Sequence, residues 1–103
     1  MNKTRDSLRQ AVQELMNDVI EQGFHHLVNH PQQSDELNRI IKDASDEMNY
    51  QLIKIDTHNF HPESQELQKH FEIISHDTQR KSLELLSNLQ KIQVLDNPRL
   101  RRV

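Results

Sequence analysis

The sequence contains no cysteine and no tryptophan, and its 103 residues include one glycine and three prolines. The absence of cysteine excludes disulfides, thiolate metal ligands and thiol catalysis. With one glycine, the chain has few means of building the tight loops that usually carry catalytic groups. It also has no glycine-rich phosphate loop and no His-Glu-x-x-His motif. These absences argue against an enzyme.

Apolar residues are also scarce, at 33% of the chain, against roughly 45–50% in an ordinary globular domain. No apolar run approaches the about 18 residues that a membrane span needs. A net charge of −3 provides no basic field for nucleic acid, and the three tail arginines would make few phosphate contacts. We expect one cytoplasmic helical domain over residues 1–98 and a basic tail over 99–103, with no membrane partner and with a nucleic-acid partner disfavoured.

The apolar residues that are present recur at helical spacing. They predict helices at about residues 4–29, 34–57 and 62–95. Thr4 and Ser34 are the expected N-caps of the first two helices, and Pro62 is the expected first residue of the third. Gly23 either ends the first helix or lies inside it, and Asp77 could cap a new helix within the third segment. We favour continuous helices in both places.

Short turns make neighbouring helices antiparallel, so the fold class is all-α, an elongated three-helix bundle whose third helix is the longest. The polar run at residues 75–82 separates two apolar blocks of this helix, and we expect it to be solvated, with Asp77 and Lys81 forming an exposed pair. The second block would extend beyond its shorter partners. We therefore predict a homodimer through Leu85, Leu86, Leu89 and Ile92, with burial in the chain's own core as the alternative.

Seven histidines are the most unusual feature of the composition. His26 and His30 are four residues apart and share a helix face, so both could bind zinc, although two ligands are fewer than zinc sites use. His58 and His61 flank the second turn. Protonation of all seven side chains would change the formal charge from −3 to +4, across about pH 7.5 to 5.5. A metal- or pH-responsive regulator is therefore an alternative function.

Ser75, His76 and Asp77 are consecutive, and neighbours on a helix point about 100° apart, so they cannot form a catalytic relay. The pattern Phe71-x-x-x-Ser75-His76-Asp77 nevertheless resembles the phosphoacceptor box of sensor histidine kinases. That resemblance implies phosphotransfer through His76 on a long dimeric helix. It covers seven residues, Arg80 stands four positions after the histidine where the family has arginine at three, and no Thr-Pro follows.

Composition and motifs together favour a small non-enzymatic protein–protein interaction module of the adaptor, chaperone or inhibitor type. Its expected partners are a second copy of the chain and another protein. No cofactor is expected, apart from the possible zinc ion. The alternatives are the histidine-based regulator and the histidine phosphotransfer helix.

Overall fold

The computed structural model describes residues 3–95 of the 103-residue chain. These residues form three α-helices and one short 3-10 turn, without a strand in that range. The elements are α1 (Lys3–Asn29), the turn (Pro31–Gln33), α2 (Ser34–Asp56) and α3 (Gln65–Leu95). The molecule measures 58 × 22 × 17 Å. The prediction of an elongated all-α bundle is confirmed. The predicted basic tail lies outside the described residues.

Contacts between helix ends establish the antiparallel order. Arg9, near the start of α1, forms an ion pair with Asp56 at the end of α2. Lys81 in α3 pairs with Asp43 in α2 at 3.2 Å. His70, which precedes Lys81 in α3, contacts the carbonyl of Lys54, which follows Asp43 in α2. Consecutive helices therefore run in opposite directions, and α1 and α3 are parallel.

Helix α1 is continuous through Gly23, as predicted. A Cβ atom at this position would lie 2.6 Å from Cγ1 of Ile41 on α2. The glycine therefore lets the two helices approach closely, and its role is packing rather than helix termination. Because α1 begins at Lys3 in the described range, Thr4 is inside the helix, and the prediction that it is the N-cap is wrong.

The turn between α1 and α2 shows why the predicted cap at Ser34 is also wrong. Pro31 opens a 3-10 turn whose geometry leads directly into α2, so Ser34 is already helical, with φ −58° and ψ −36°. Its backbone N–H donates to the carbonyl of Pro31. Asp35 and Glu36 occupy the first turn of α2, where carboxylates favour the positive end of the helix dipole.

Helix α3 begins at Gln65, three residues after the predicted start at Pro62. Ser64 is its N-cap, because the Ser64 hydroxyl accepts a hydrogen bond from the backbone N–H of Leu67 at 3.1 Å. The same hydroxyl donates to the carbonyl of His61 at 2.8 Å. The capping hydroxyl, rather than the fixed φ of proline, therefore determines where this helix starts.

As predicted, α3 is continuous through residues 75–82. The expectation that this run is solvated is wrong in part, because Thr78 and Ser82 are only 1% and 3% exposed. Thr78 donates to the carbonyl of Ile74 at 2.7 Å, so its hydroxyl is satisfied within the helix. The predicted pair of Asp77 with Lys81 is also wrong. Asp77 pairs with Arg80 at 3.4 Å, and Lys81 reaches across to α2.

The core consists of two apolar clusters separated by a polar layer. One cluster contains Met16, Val19, Leu37, Ile40, Ala44, Leu85, Leu89 and Ile92. The other contains Leu8, Val12, Ile55, Leu67, Phe71 and Ile74. Gln51, Thr78 and Ser82 lie between the clusters and are almost fully buried. We call these three residues the polar layer.

The expectation that the second apolar block of α3 extends into solvent is wrong. Leu85, Leu89 and Ile92 are 1%, 1% and 4% exposed within a single chain, and Leu86 is half-buried against them. These side chains pack against the end of α1 and the first half of α2, so no second copy is needed to cover them. The homodimer remains a prediction, but these side chains do not provide the exposed apolar surface on which that prediction was based.

Candidate functional site

The two histidines proposed as zinc ligands lie close together at the end of α1. The ring centroids of His26 and His30 are 6.0 Å apart, and His26 Nδ1 is 2.8 Å from the carbonyl oxygen of Gln22. Among residues 3–95, no group of three or more histidine, aspartate and glutamate side chains is arranged to hold a metal ion. The pair therefore provides two of the three or four ligands that a zinc site uses.

His76, the phosphoacceptor of the histidine-kinase resemblance, is exposed on α3. Ser75 and Asp77 beside it are half-buried, and Asp77 is paired with Arg80. No hydrogen bond joins the three consecutive side chains in the described part of the chain. The arrangement leaves His76 accessible but gives it no neighbouring group to activate it.

His58 and His70 belong to an aromatic cluster that was not predicted from the sequence. His58 stacks on Phe60 at 6.2 Å and meets the ring of Phe71 edge-on at 5.6 Å. His70 lies 5.5 Å from Phe60, and its Nε2 is 3.1 Å from the carbonyl oxygen of Lys54 near the end of α2. These contacts fix the connection between α2 and α3, so we assign the cluster a structural role.

A groove runs between α2 and α3, and we call it the α2/α3 groove. It has two sections of about 410 and 420 Å³, and every lining residue comes from these two helices. The first, the Ile92 section, is lined by Glu36, Arg39, Ile40, Asp43, Leu85, Asn88, Lys91 and Ile92. The second, the Gln51 section, is lined by Glu47, Tyr50, Gln51, Lys54, Asp77, Arg80, Lys81 and Glu84.

Lys81 links the two sections of the groove. Its ammonium group lies 3.2 Å from Asp43 and 3.8 Å from Glu84, and its side chain is 24% exposed. Burial lowers the pKa of Lys81, but the hydrogen bond and charge of Asp43, together with the charges of Glu84 and Glu47, outweigh burial and raise that pKa above its ordinary value. Lys81 is therefore a fixed positive charge that holds α2 and α3 together.

The Gln51 section contains two hydrogen-bond acceptors, Gln51 Oε1 and the Glu47 carboxylate, that have few donors among the described residues. Gln51 is 1% exposed, and its Oε1 has no hydrogen-bond partner among the described residues. Its amide nitrogen donates to Glu47 at 2.6 Å. Glu47 is half-buried and takes part in no ion pair within residues 3–95. An unpaired buried acceptor is costly, so this part of the groove needs an explanation.

Three exposed apolar side chains flank the Gln51 section. Tyr50 and Ile53 on α2 are 57% and 60% exposed, and Ile73 on α3 is 56% exposed. Lys54 is one turn after Tyr50 and meets His70, which is one turn before Ile73, so in antiparallel helices Tyr50 and Ile73 lie at the same level. We call Tyr50, Ile53 and Ile73 the groove-edge patch.

The groove was not predicted from the sequence, although part of its signal is present there. Gln51 is three residues after Met48 and four before Ile55, which is a position on the apolar stripe of α2. Thr78 occupies the equivalent place four residues after Ile74. Polar residues at core positions of two adjacent helices indicate a buried polar layer. The pairing of the charged residues across the groove depends on the register between the helices and has no such signal.

Comparison with known protein families, with curated proteins and with solved structures finds no match to this chain. Within residues 3–95, none of the helices contains an apolar stretch of the length and hydropathy that crossing a membrane requires. The groove and its edges therefore provide the basis for a functional proposal.

Proposed function

We propose that this protein is a non-enzymatic interaction module, of the adaptor, chaperone or inhibitor type, that binds a partner protein across α2 and α3. The observation that carries the proposal is the groove-edge patch. Its three side chains are each more than half exposed, and they lie on both helices that flank the groove. Single exposed apolar residues are common on protein surfaces, but a group beside a groove is typical of interaction sites.

The shape of the groove supports the same proposal. A seam between two antiparallel helices accommodates an amphipathic helix, which places its apolar residues between the two helices and its polar residues at the rim. The groove-edge patch provides apolar contacts at one end of the seam. At the other end, Ile40, Leu85 and Ile92 line the Ile92 section. The predicted interface residues Leu85 and Ile92 therefore contribute to a groove lining rather than to an exposed surface.

The proposal is tested with two double variants that have similar chemistry but different positions. Ile53→Glu with Ile73→Glu places charges on the groove-edge patch, whereas Val28→Glu with Leu83→Glu places them at exposed positions away from the groove. Each protein is crosslinked in its source cells, purified and analysed by native mass spectrometry. We expect the wild-type chain and the control variant to carry the same partner polypeptide, and the patch variant to lose it.

We expect both variants to remain folded, because all four replaced side chains are exposed. Circular dichroism checks this expectation. Recovery of the same partner by both variants would contradict binding at the patch. Recovery of the chain alone, as a dimer that the patch variant disrupts, would assign the patch to self-association instead.

A further inference from the structure

One buried acceptor of the Gln51 section, Gln51 Oε1, has no donor among the described residues. Gln51 is almost fully buried, lines the groove and has an Oε1 without a partner among residues 3–95. Glu47, one turn earlier on the same helix face, receives the amide hydrogen bond of Gln51. Its charge contributes to the raised pKa of Lys81, but no cation lies within ion-pair distance of it in the described range. The Gln51 side chain, whose Oε1 is covered in the free chain, and the Glu47 side chain therefore lie one turn apart in the lining of a groove of about 420 Å³.

The cations that line this section have other partners. Lys81 is held by Asp43 at 3.2 Å and Glu84 at 3.8 Å, and Arg80 is paired with Asp77 at 3.4 Å. The ammonium group of Lys54 lies 5.0 Å from the ring centroid of Tyr50. A ligand that serves both residues needs a positive charge for the Glu47 carboxylate and a further hydrogen-bond donor for the Gln51 carbonyl oxygen. It is therefore a cation with several donors.

We propose that the Gln51 section binds an arginine side chain of the partner protein, whose guanidinium group donates to the Glu47 carboxylate and, as the Gln51 amide turns towards the groove, to Gln51 Oε1. This inference rests on the proposed function and specifies the chemistry of the partner. Arginine fits better than lysine because its planar guanidinium group presents five donors, loses its hydration more easily than an ammonium group and reaches two acceptors at once. The groove-edge patch would then contact apolar residues next to that arginine.

The probe for this proposal is N-acetyl-arginine amide, which carries the guanidinium group without charged termini. It is titrated into the ¹⁵N-labelled full chain, and the side-chain amide of Gln51 is followed by NMR. We expect saturable shifts of this amide and of the backbone around Glu47, with a Kd of about 1–10 mM, as suits a ligand of this size. N-acetyl-citrulline amide, which has nearly the same shape but no charge, is expected to cause no saturable shift.

Two variants locate the binding. Glu47→Gln removes the charged acceptor and is expected to weaken binding of the probe about tenfold or more. Glu72→Gln removes one carboxylate from an exposed position of α3 that does not line the groove, and is expected to leave the Kd unchanged. Both variants carry the same net charge, so a general electrostatic effect would weaken binding equally and would overturn the proposal.

Two further outcomes would overturn the assignment to a partner. If the probe causes no saturable shift in the wild-type chain but does so in the Lys81→Met variant, the chain's own ammonium group occupies the site. If replacing Arg99, Arg101 and Arg102 by glutamine tightens binding of the probe about tenfold, the guanidinium group comes from this chain. Absence of any localised shift refutes the inference without affecting the proposed function, which the partner-capture experiment tests separately through Ile53 and Ile73.

Discussion

Replacing Gly23 by alanine should destabilise the protein, although alanine is the better helix former. In the middle of a helix, alanine is favoured over glycine by about 1 kcal/mol. Here the added Cβ would lie 2.6 Å from Cγ1 and 3.1 Å from Cδ1 of Ile41. Cγ1 is bonded directly to Cβ of a β-branched side chain, which has one strongly preferred rotamer in a helix and cannot easily turn away. Relief therefore requires α1 and α2 to separate.

The expected size of the effect follows from these two opposing contributions. Overpacking in a core costs about 1–3 kcal/mol, and the helix preference offsets about 1 kcal/mol. The net loss in the free energy of unfolding should be up to about 2 kcal/mol, which in a domain of this size lowers the Tm by roughly 4–8 °C per kcal/mol. Urea unfolding followed by circular dichroism measures the change directly.

A double-mutant cycle separates the steric contribution from helix preference. Ile41→Ala removes both atoms that Gly23→Ala would meet. In that background the glycine replacement should become stabilising, by about 1 kcal/mol, because only the helix preference remains. A stabilising effect of Gly23→Ala in the wild-type chain as well would refute the reasoning, since the two helices would then not need the close approach at this position.

Two further predictions concern capping and the polar layer. Ser64→Ala should lower the free energy of unfolding by about 1 kcal/mol, because the Ser64 hydroxyl caps a helix. Ser34→Ala should change it by less than about 0.5 kcal/mol, because Ser34 is already helical. Equal losses in urea unfolding would contradict this prediction. Gln51→Met should raise the free energy of unfolding by about 1–2 kcal/mol by removing a buried acceptor without a partner, whereas the exposed control Gln79→Met should have little effect; a destabilised Gln51→Met protein would indicate that the amide is satisfied in the folded state.

The helices could be predicted from the sequence because their signals are local. Spacing of apolar residues and proline positions depend on the nearest turns of the chain, and they indicated a first helix that continues past Gly23 and a third that continues through residues 75–82. The caps were less accessible. A serine lies at the start of both α2 and α3, and only the geometry of the preceding turn makes Ser64 a cap and Ser34 the first helical residue.

The groove could not be predicted because it depends on the register between helices. Lys81 was expected to pair within α3, but Asp43 is closer to its ammonium group once α2 packs alongside. Likewise, the predicted interface was argued from an estimate of helix lengths. The offset at which α3 packs against α1 and α2 buries Leu89 and Ile92 instead. Side-chain pairing between elements is a property of their packing, and a single sequence contains little information on it.

The polar layer and the groove occur at the same place in the molecule, and this coincidence has a physical consequence. An apolar side chain at position 51 would add to the contact that Met48 already makes with both core clusters and would remove an unpaired acceptor, so we expect glutamine there to lower the stability of the free protein. A ligand that donates to Gln51 Oε1 recovers that loss when it binds, which adds to its affinity for the folded chain. If Gln51→Met proves more stable and also fails to bind the arginine probe, one residue lowers stability and supports recognition through the same oxygen atom.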